Sequence, residues 1–144
     1  MDFLVRKYIN DDYSQVLTVW EKTGMGGKHR GDDKNAIKST LQKGGELLVL
    51  IEKESDKIVG TSWITNDGRR LYLHHFGILP DYQSKGLSKL LLIESLEIAR
   101  QLNLQIKLEV HKDNNIAVNL YKKFGFKYLG DYDVYIIRDV NNLI

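Results

Sequence analysis

The chain has 144 residues, of which 42% are hydrophobic and 28% charged, and a formal net charge of +2. That length suits a single domain with a core of its own, and so small a net charge excludes a protein built mainly to grip nucleic acid, which carries a basic stripe. Cysteine is absent, which excludes disulfides, thiolate metal sites and a cysteine nucleophile.

Residues 3–9 (FLVRKYI) alternate apolar and charged side chains, as an amphipathic strand does. Asn10, Asp11 and Asp12 then offer helix caps. Tyr13, Val16, Leu17 and Trp20 have helical spacing, which predicts a helix over 13–22. Residues 23–33 hold four glycines without any period and read as a loop. Residues 34–43 predict a second short helix, stopped at Gly44-Gly45. Two apolar runs follow, ELLVLIEK (46–53) and KIVGTSWIT (57–65), with a turn at Ser55-Asp56. Asn66-Asp67-Gly68 makes the next turn, and 70–79 a fourth strand. The longest predicted helix covers 86–103, with Leu87, Leu90, Leu91, Ile98 and Leu102 on one side and Leu92, Leu96 and Ala99 widening it. A fifth strand is predicted over 105–111, a helix over 114–124 ended by Gly125, and one or two final strands over 128–139. The order β-α-α-β-β-β-α-β-α-β(-β) predicts an α/β (mixed α+β) fold, a mixed sheet covered by helices in one domain spanning 1–144. The first residues, MDFLVRKYIN, lack the apolar centre of a signal peptide, and no apolar run approaches the roughly 20 residues of a membrane span. The expectation is a cytoplasmic protein without membrane or nucleic-acid partners.

Two segments carry chemistry. In PDYQSKGLSKLL (80–91) the fourth strand runs into the long helix through one glycine, Gly86. A helix start leaves its first amides unpaired, and these with the helix dipole attract an anion. Gly86 removes a side chain where an anion approaches the backbone, and Gln83, Ser84, Lys85 and Ser88 add polar or positive groups. Such a turn can hold a phosphate or can simply turn. In LEVHKDNNIAVNLYKKFGF (108–126), Asn114 and Tyr121 are about two helical turns apart with the small Ala117 between them. A slender ligand fits along such a face.

Taken together, strand, Q-S-K-G-L-S, long helix, strand and N-N-I-A-V-N-L-Y-K-K-F-G-F resemble the GNAT superfamily of N-acetyltransferases. The usual turn motif there is Q/R-x-x-G-x-G/A. Gln83 and Gly86 match it, and Ser88 departs from it at the last position while staying small. The resemblance implies a mostly antiparallel mixed sheet splayed between strands 4 and 5, with acetyl-CoA as co-substrate and no metal. It implies that the main chain from Gln83 through Ser84, Lys85, Gly86 and Leu87 to Ser88 binds the pyrophosphate. It further implies that Gly77, Ile78 and Leu79 pair with the pantetheine arm, that Asn114 meets that arm, and that Tyr121 gives a proton to the departing thiolate. As partners it implies a small-molecule or peptide amine, and it allows a homodimer.

An alkyl amine of pKa about 10 is mostly protonated at neutral pH, so the reaction needs a base. Glu109 is the first candidate. His74 and His75 are the alternatives, and strict strand alternation predicts that they face opposite sides. His74, His75 and His111 show no recognisable metal-ligand spacing. The acceptor pocket implied by the resemblance draws on the loop 24–33, where Asp32 and Asp33 suit a cation and Lys28, His29 and Arg30 an acid, and on Tyr132. Trp20 and Trp63 are expected in the core. A non-catalytic acyl-CoA-binding sensor or scaffold is the competing reading.

Overall fold

The computed structural model describes residues 2–26 and 30–143, which form two compact units, Met1–Glu109 and Val110–Ile144. The first contains strands β1 (Phe3–Lys7), β2 (Glu46–Glu52), β3 (Lys57–Asn66), β4 (Arg70–Ile78) and β5 (Gln105–Leu108), with helices α1 (Tyr13–Thr23), α2 (Lys34–Gln42) and α3 (Leu87–Leu102). The five strands make one sheet in the order β1-β2-β3-β4-β5. The first four pair antiparallel, and β5, reached through α3, pairs parallel with β4. This is the mixed sheet flanked by helices that the order of elements predicts, and it is mostly antiparallel, as the family resemblance implies.

The two faces of the sheet can be told apart along β3. Successive strand residues point to opposite sides. Ser62 bonds Ser95 of α3. Its neighbours Thr61 and Trp63 accept from Trp20 of α1 and donate to Thr40 of α2, respectively. Helices α1 and α2 therefore cover one face and α3 the other. The buried core follows from this: Val16, Val19, Trp20 and Ile37 on the first side, Leu91 and Leu92 from α3, and nearly all of β2 between them. Strand β2 is buried over Leu47–Glu52, which is why its sequence is an apolar run rather than an alternation.

The corner from β1 into α1 is closed by a charge pair. Arg6 forms two bonds to the Asp12 carboxylate, 2.7 and 2.9 Å, and the Ile9 N–H donates a third at 2.9 Å. Burial alone raises the pKa of Asp12, but Arg6 and the Ile9 amide together hold it below the usual carboxylate value.

The second unit contains α4 (Asn115–Lys123) and an extended tail. Strands expected over 128–139 are absent from the described residues. The turn that would join them does form, since Gly130 and Asp131 have φ of +59° and +57°, the adjacent left-handed pair of a type I′ hairpin. No ladder flanks it, and Tyr132, Tyr135 and Ile136 are exposed. Alternating sequence expresses strand propensity, but a two-stranded ribbon is marginal without a sheet to join.

Candidate active site

The site is organised by an irregularity in β4. Between the pairs Thr61↔Gly77 and Trp63↔His74, β4 carries one more residue than β3, a β-bulge. His75 sits in it with φ +44°, a left-handed conformation that costs a non-glycine residue on the order of 1–2 kcal/mol. A buried relay holds it there: Trp20 Nε1–H donates to Thr61 Oγ1 at 3.0 Å, and Thr61 Oγ1–H donates to the His75 carbonyl at 2.7 Å.

This bulge corrects the expectation that His74 and His75 face opposite sides. Both rings contact Trp63, at centroid distances of 6.4 and 5.1 Å, because the extra residue resets the alternation. They differ in surroundings. His74 stacks on Tyr72 at 4.2 Å, and its Nε2 lies 2.9 Å from Thr65 Oγ1. Burial, then the neighbouring His75, push its pKa down to about 4. The His75 ring lies against Trp20 at 4.6 Å, and its Nε2–H donates to Asp32 Oδ2 at 3.0 Å. Burial lowers the His75 pKa, Asp32 works against that fall, and Arg30 adds to it.

Glu109, exposed just beyond β5, belongs to the same face. Lys107 pairs in register with Tyr72 and lies over its ring at 5.3 Å, and the Glu109 carboxylate acts on the Tyr72 hydroxyl. Burial, then the nearby Glu109 carboxylate, raise the Tyr72 phenol far above its ordinary pKa. The three base candidates therefore share one aromatic-floored face. Tyr72 belongs to this site and was not singled out from sequence, although its place two residues before His74 on one strand was the available signal.

The loop 24–33 splits its candidates. Asp32 holds His75, whereas Asp33 caps α2 by accepting from the Ala36 N–H at 2.8 Å. Lys28 and His29 lie outside the described residues. Met25 covers the bulge strand: a Cβ on Gly77 would come 2.6 Å from Met25 Cε. Tyr132 is exposed in the tail of the second unit.

At the other end of β4 the glycine turn expected from the sequence is present. Strand β5 pairs only Arg70–Leu73, and β4 runs on to Ile78 beside β3 alone. Leu79 and a short 3-10 turn follow, and then Ser84 and Gly86 at φ +63° and +75°. Nothing lies within 4 Å of where a Gly86 Cβ would stand. The first α3 bond runs from Leu90 N to Gly86 O, so the amides of Leu87, Ser88 and Lys89 precede the ladder. The Gln83 side chain is turned away from this role and donates to the Ile78 carbonyl at 2.8 Å. Lys85 lies over the Tyr82 ring. The open cradle, free amides and nearby lysine fit a diphosphate.

In the second unit Asn114 is the N-cap of α4, its Oδ1 accepting from Ala117 N at 3.2 Å, which leaves its amide N–H groups for another partner. Tyr121 is buried, edge-on to Phe126 at 5.6 Å, and burial pushes its pKa up to about 12. Among the described residues no cluster of three His, Asp or Glu is arranged to hold a metal, and no helix is long and apolar enough to cross a membrane.

Comparison with known proteins agrees with this geometry. Acetyltransferase SG1711 of Sodalis glossinidius is 27% identical over 125 residues, covering 85% of this chain and 86% of that protein. An acetyltransferase of Streptococcus agalactiae superposes with a TM-score of 0.79 at 21% identity, over 95% of this chain and 92% of its own. A predicted acetyltransferase of Clostridium acetobutylicum, solved with acetyl-CoA, superposes with a TM-score of 0.73 at 16% identity, over 94% and 96%. The model of the "Acetyltransferase (GNAT) family" matches residues 10–126, a stretch that runs from the β1–α1 corner through the bulge and glycine turn to the end of α4, and the chain belongs to that family.

Proposed function

We propose that residues 1–144 work as one N-acetyltransferase domain, moving acetyl from acetyl-CoA directly to a primary amine of a small molecule or peptide. One observation carries this reading: β4 parts from β5 after Leu73 and continues, paired with β3 only, past the bulge to the glycine turn that opens α3. A strand edge without a partner suits an extended amide chain such as the pantetheine arm, along Gly77, Ile78 and Leu79. The turn that follows suits its diphosphate, through the main chain from Gln83 to Leu87 and the polar groups of Ser84, Lys85 and Ser88. Asn114 takes part through its amide N–H groups.

Acetyl-CoA supplies the activated acetyl group. The chain's own residues manage charge and protons. Preorganised amides near the bulge steady the oxygen on which charge develops. Tyr121, a neutral phenol at working pH, protonates the leaving thiolate. A base on the aromatic face takes the proton of the acceptor ammonium. His74 is poorly suited to this, being half-buried, tied to Thr65 and very weakly basic. Glu109 and His75 remain. No covalent enzyme intermediate is needed, in keeping with a chain without cysteine.

The test is release of free CoA from acetyl-CoA in the presence of amines: small amines, amino acids, polyamines, aminoglycosides and peptide N-termini. Because the chain has no cysteine, a thiol reagent reads CoA alone. Amine-dependent release is expected. Tight acetyl-CoA binding without release on any amine would instead mark a non-catalytic acyl-CoA-binding module.

A further inference from the structure

Two residues distant in sequence meet at the bulge. Asp32 Oδ2 accepts from His75 Nε2–H at 3.0 Å, with both side chains mostly buried, 19% and 15% exposed. Gly26 is packed directly on the pair: a Cβ there would collide with His75 Nε2 and lie 2.6 Å from Asp32 Oδ2. Gly26 also has φ +63°, so both its missing side chain and its backbone conformation serve the contact. Trp20 and Trp63, stacked on each other at 5.2 Å, both lie against the ring, and the Trp20–Thr61–His75 relay holds its carbonyl. With Nε2 occupied by the carboxylate, Nδ1 is the nitrogen left to accept a proton, and no described residue bonds it.

Resting on the acetyltransferase reading, we propose that His75 is the base for the acceptor amine and that Asp32 is its positioning residue, fixing the tautomer that leaves Nδ1 unprotonated. An acceptor ammonium gives one proton to Nδ1, which later passes to solvent. The freed nitrogen lone pair forms the C–N bond to the thioester carbonyl carbon. As the C–S bond breaks, the thiolate takes a proton from Tyr121, and the second proton lost by the nitrogen returns through solvent to the Tyr121 phenolate. The imidazolium formed on His75 then faces the Asp32 carboxylate as an ion pair, which favours proton uptake. The other charged or titratable groups facing His75 are Arg30 from the loop, which lowers its pKa, and the His74 ring on the same strand, 6.4 Å away; Glu109 acts on His74. Glu109 is assigned to the Tyr72 hydroxyl instead.

Asp32→Asn and His75→Asn separate this role from a structural one. Asparagine tolerates the left-handed backbone at position 75, so His75→Asn retains the bulge. In Asp32→Asn, kcat/KM for the best amine is expected to fall about tenfold or more, and the acidic limb of its pH profile to move to lower pH, because a carboxylate that raises the His75 pKa is gone. His75→Asn removes that limb, and Glu109→Gln leaves it in place. Long-range 1H–15N spectra of the free protein give a second readout: Nε2 of His75 protonated at neutral pH, and a lower His75 titration midpoint in Asp32→Asn. Gly26→Ala, which prises the pair apart, should reproduce that shift. An acidic limb that survives His75→Asn and vanishes in Glu109→Gln overturns the proposal, as does a His75 midpoint indifferent to Asp32. Absence of turnover with every amine fails the acetyltransferase reading itself and His75's role with it, while the spectra still report on the pair alone.

Discussion

Ser62 Oγ and Ser95 Oγ lie 2.7 Å apart, both side chains completely buried. This hydroxyl pair ties α3, the helix opened by the Gly86 turn, to the centre of the sheet. Ser95 Oγ–H also donates to the Leu91 carbonyl at 2.8 Å, so the proton between the serines comes from Ser62. The two deletions are therefore unequal. Ser62→Ala leaves Ser95 a satisfied donor and should cost about 1 kcal/mol. Ser95→Ala strands the Ser62 hydroxyl in the core and should cost about 2 kcal/mol. The double variant should cost less than the sum, as groups sharing one bond do. Urea unfolding of the four proteins checks this; equal and additive losses would show that the pair does not couple helix to sheet.

Acid should weaken the fold in two separate steps. The folded pKa of His74 is about 4, below the 6.5 of the free ring. The unfolded chain therefore binds more protons between those values, and stability falls as pH drops from 6.5 towards 4, by about 3 kcal/mol from this group. His75, also lowered, adds in the same direction. His74→Gln should flatten most of that decline. Asp12 acts lower down. Its folded pKa lies below 3.8, so its contribution is present above that value and lost as pH falls through the folded pKa. Asp12→Ala should cost about 3 kcal/mol at pH 7, the lower end for a broken buried pair, since Arg6 remains 35% exposed and can rehydrate. Unfolding curves from pH 7 to pH 2.5 measure both windows; a His74→Gln protein with the wild-type slope between 6.5 and 4 would refute the first.

Gly86→Val probes the anion turn. Because the space around Gly86 is open, the free protein meets only the left-handed strain of φ +75°, about 1–2 kcal/mol. A bound diphosphate would meet the side chain itself. CoA affinity should drop about tenfold or more, roughly 1.4 kcal/mol for each factor of ten, with a smaller loss for Gly86→Ala. Calorimetric titration with CoA reads this, and unchanged affinity would remove the pyrophosphate from this turn.

Tyr121→Phe tests the proton donor. With a pKa of about 12, the phenol stays protonated across the working range, so no alkaline limb below pH 10 belongs to it. Turnover should fall about 100-fold while CoA affinity changes less than about twofold. Full activity in Tyr121→Phe would leave the thiolate to be protonated by solvent.

Much of the site is local and so could be read along the chain. The helix start at Gly86, the cap at Asn114 and the left-handed Gly125 each depend on a few consecutive residues, because backbone conformation and orphan amides are local properties. The same holds for the apolar run of β2. Tyr72 is not legible in the sequence because its meaning depends on the β4–β5 register, which brings Lys107 and Glu109 beside it. The tail at 128–139 shows the opposite error. Its turn residues and alternation are those of a hairpin, but a strand is completed by a neighbour that sequence periodicity does not supply.

The order of residues by itself determined the succession of elements as far as α4, the glycine turn and the short motifs that mark the family. Tertiary structure alone decided that His74 and His75 share a face, since one extra residue in β4 relative to β3 reverses alternation there. It alone decided that Asp32 serves His75 while Asp33 caps a helix. Adjacent carboxylates have the same intrinsic chemistry, and only the side chains packed against them assign the work.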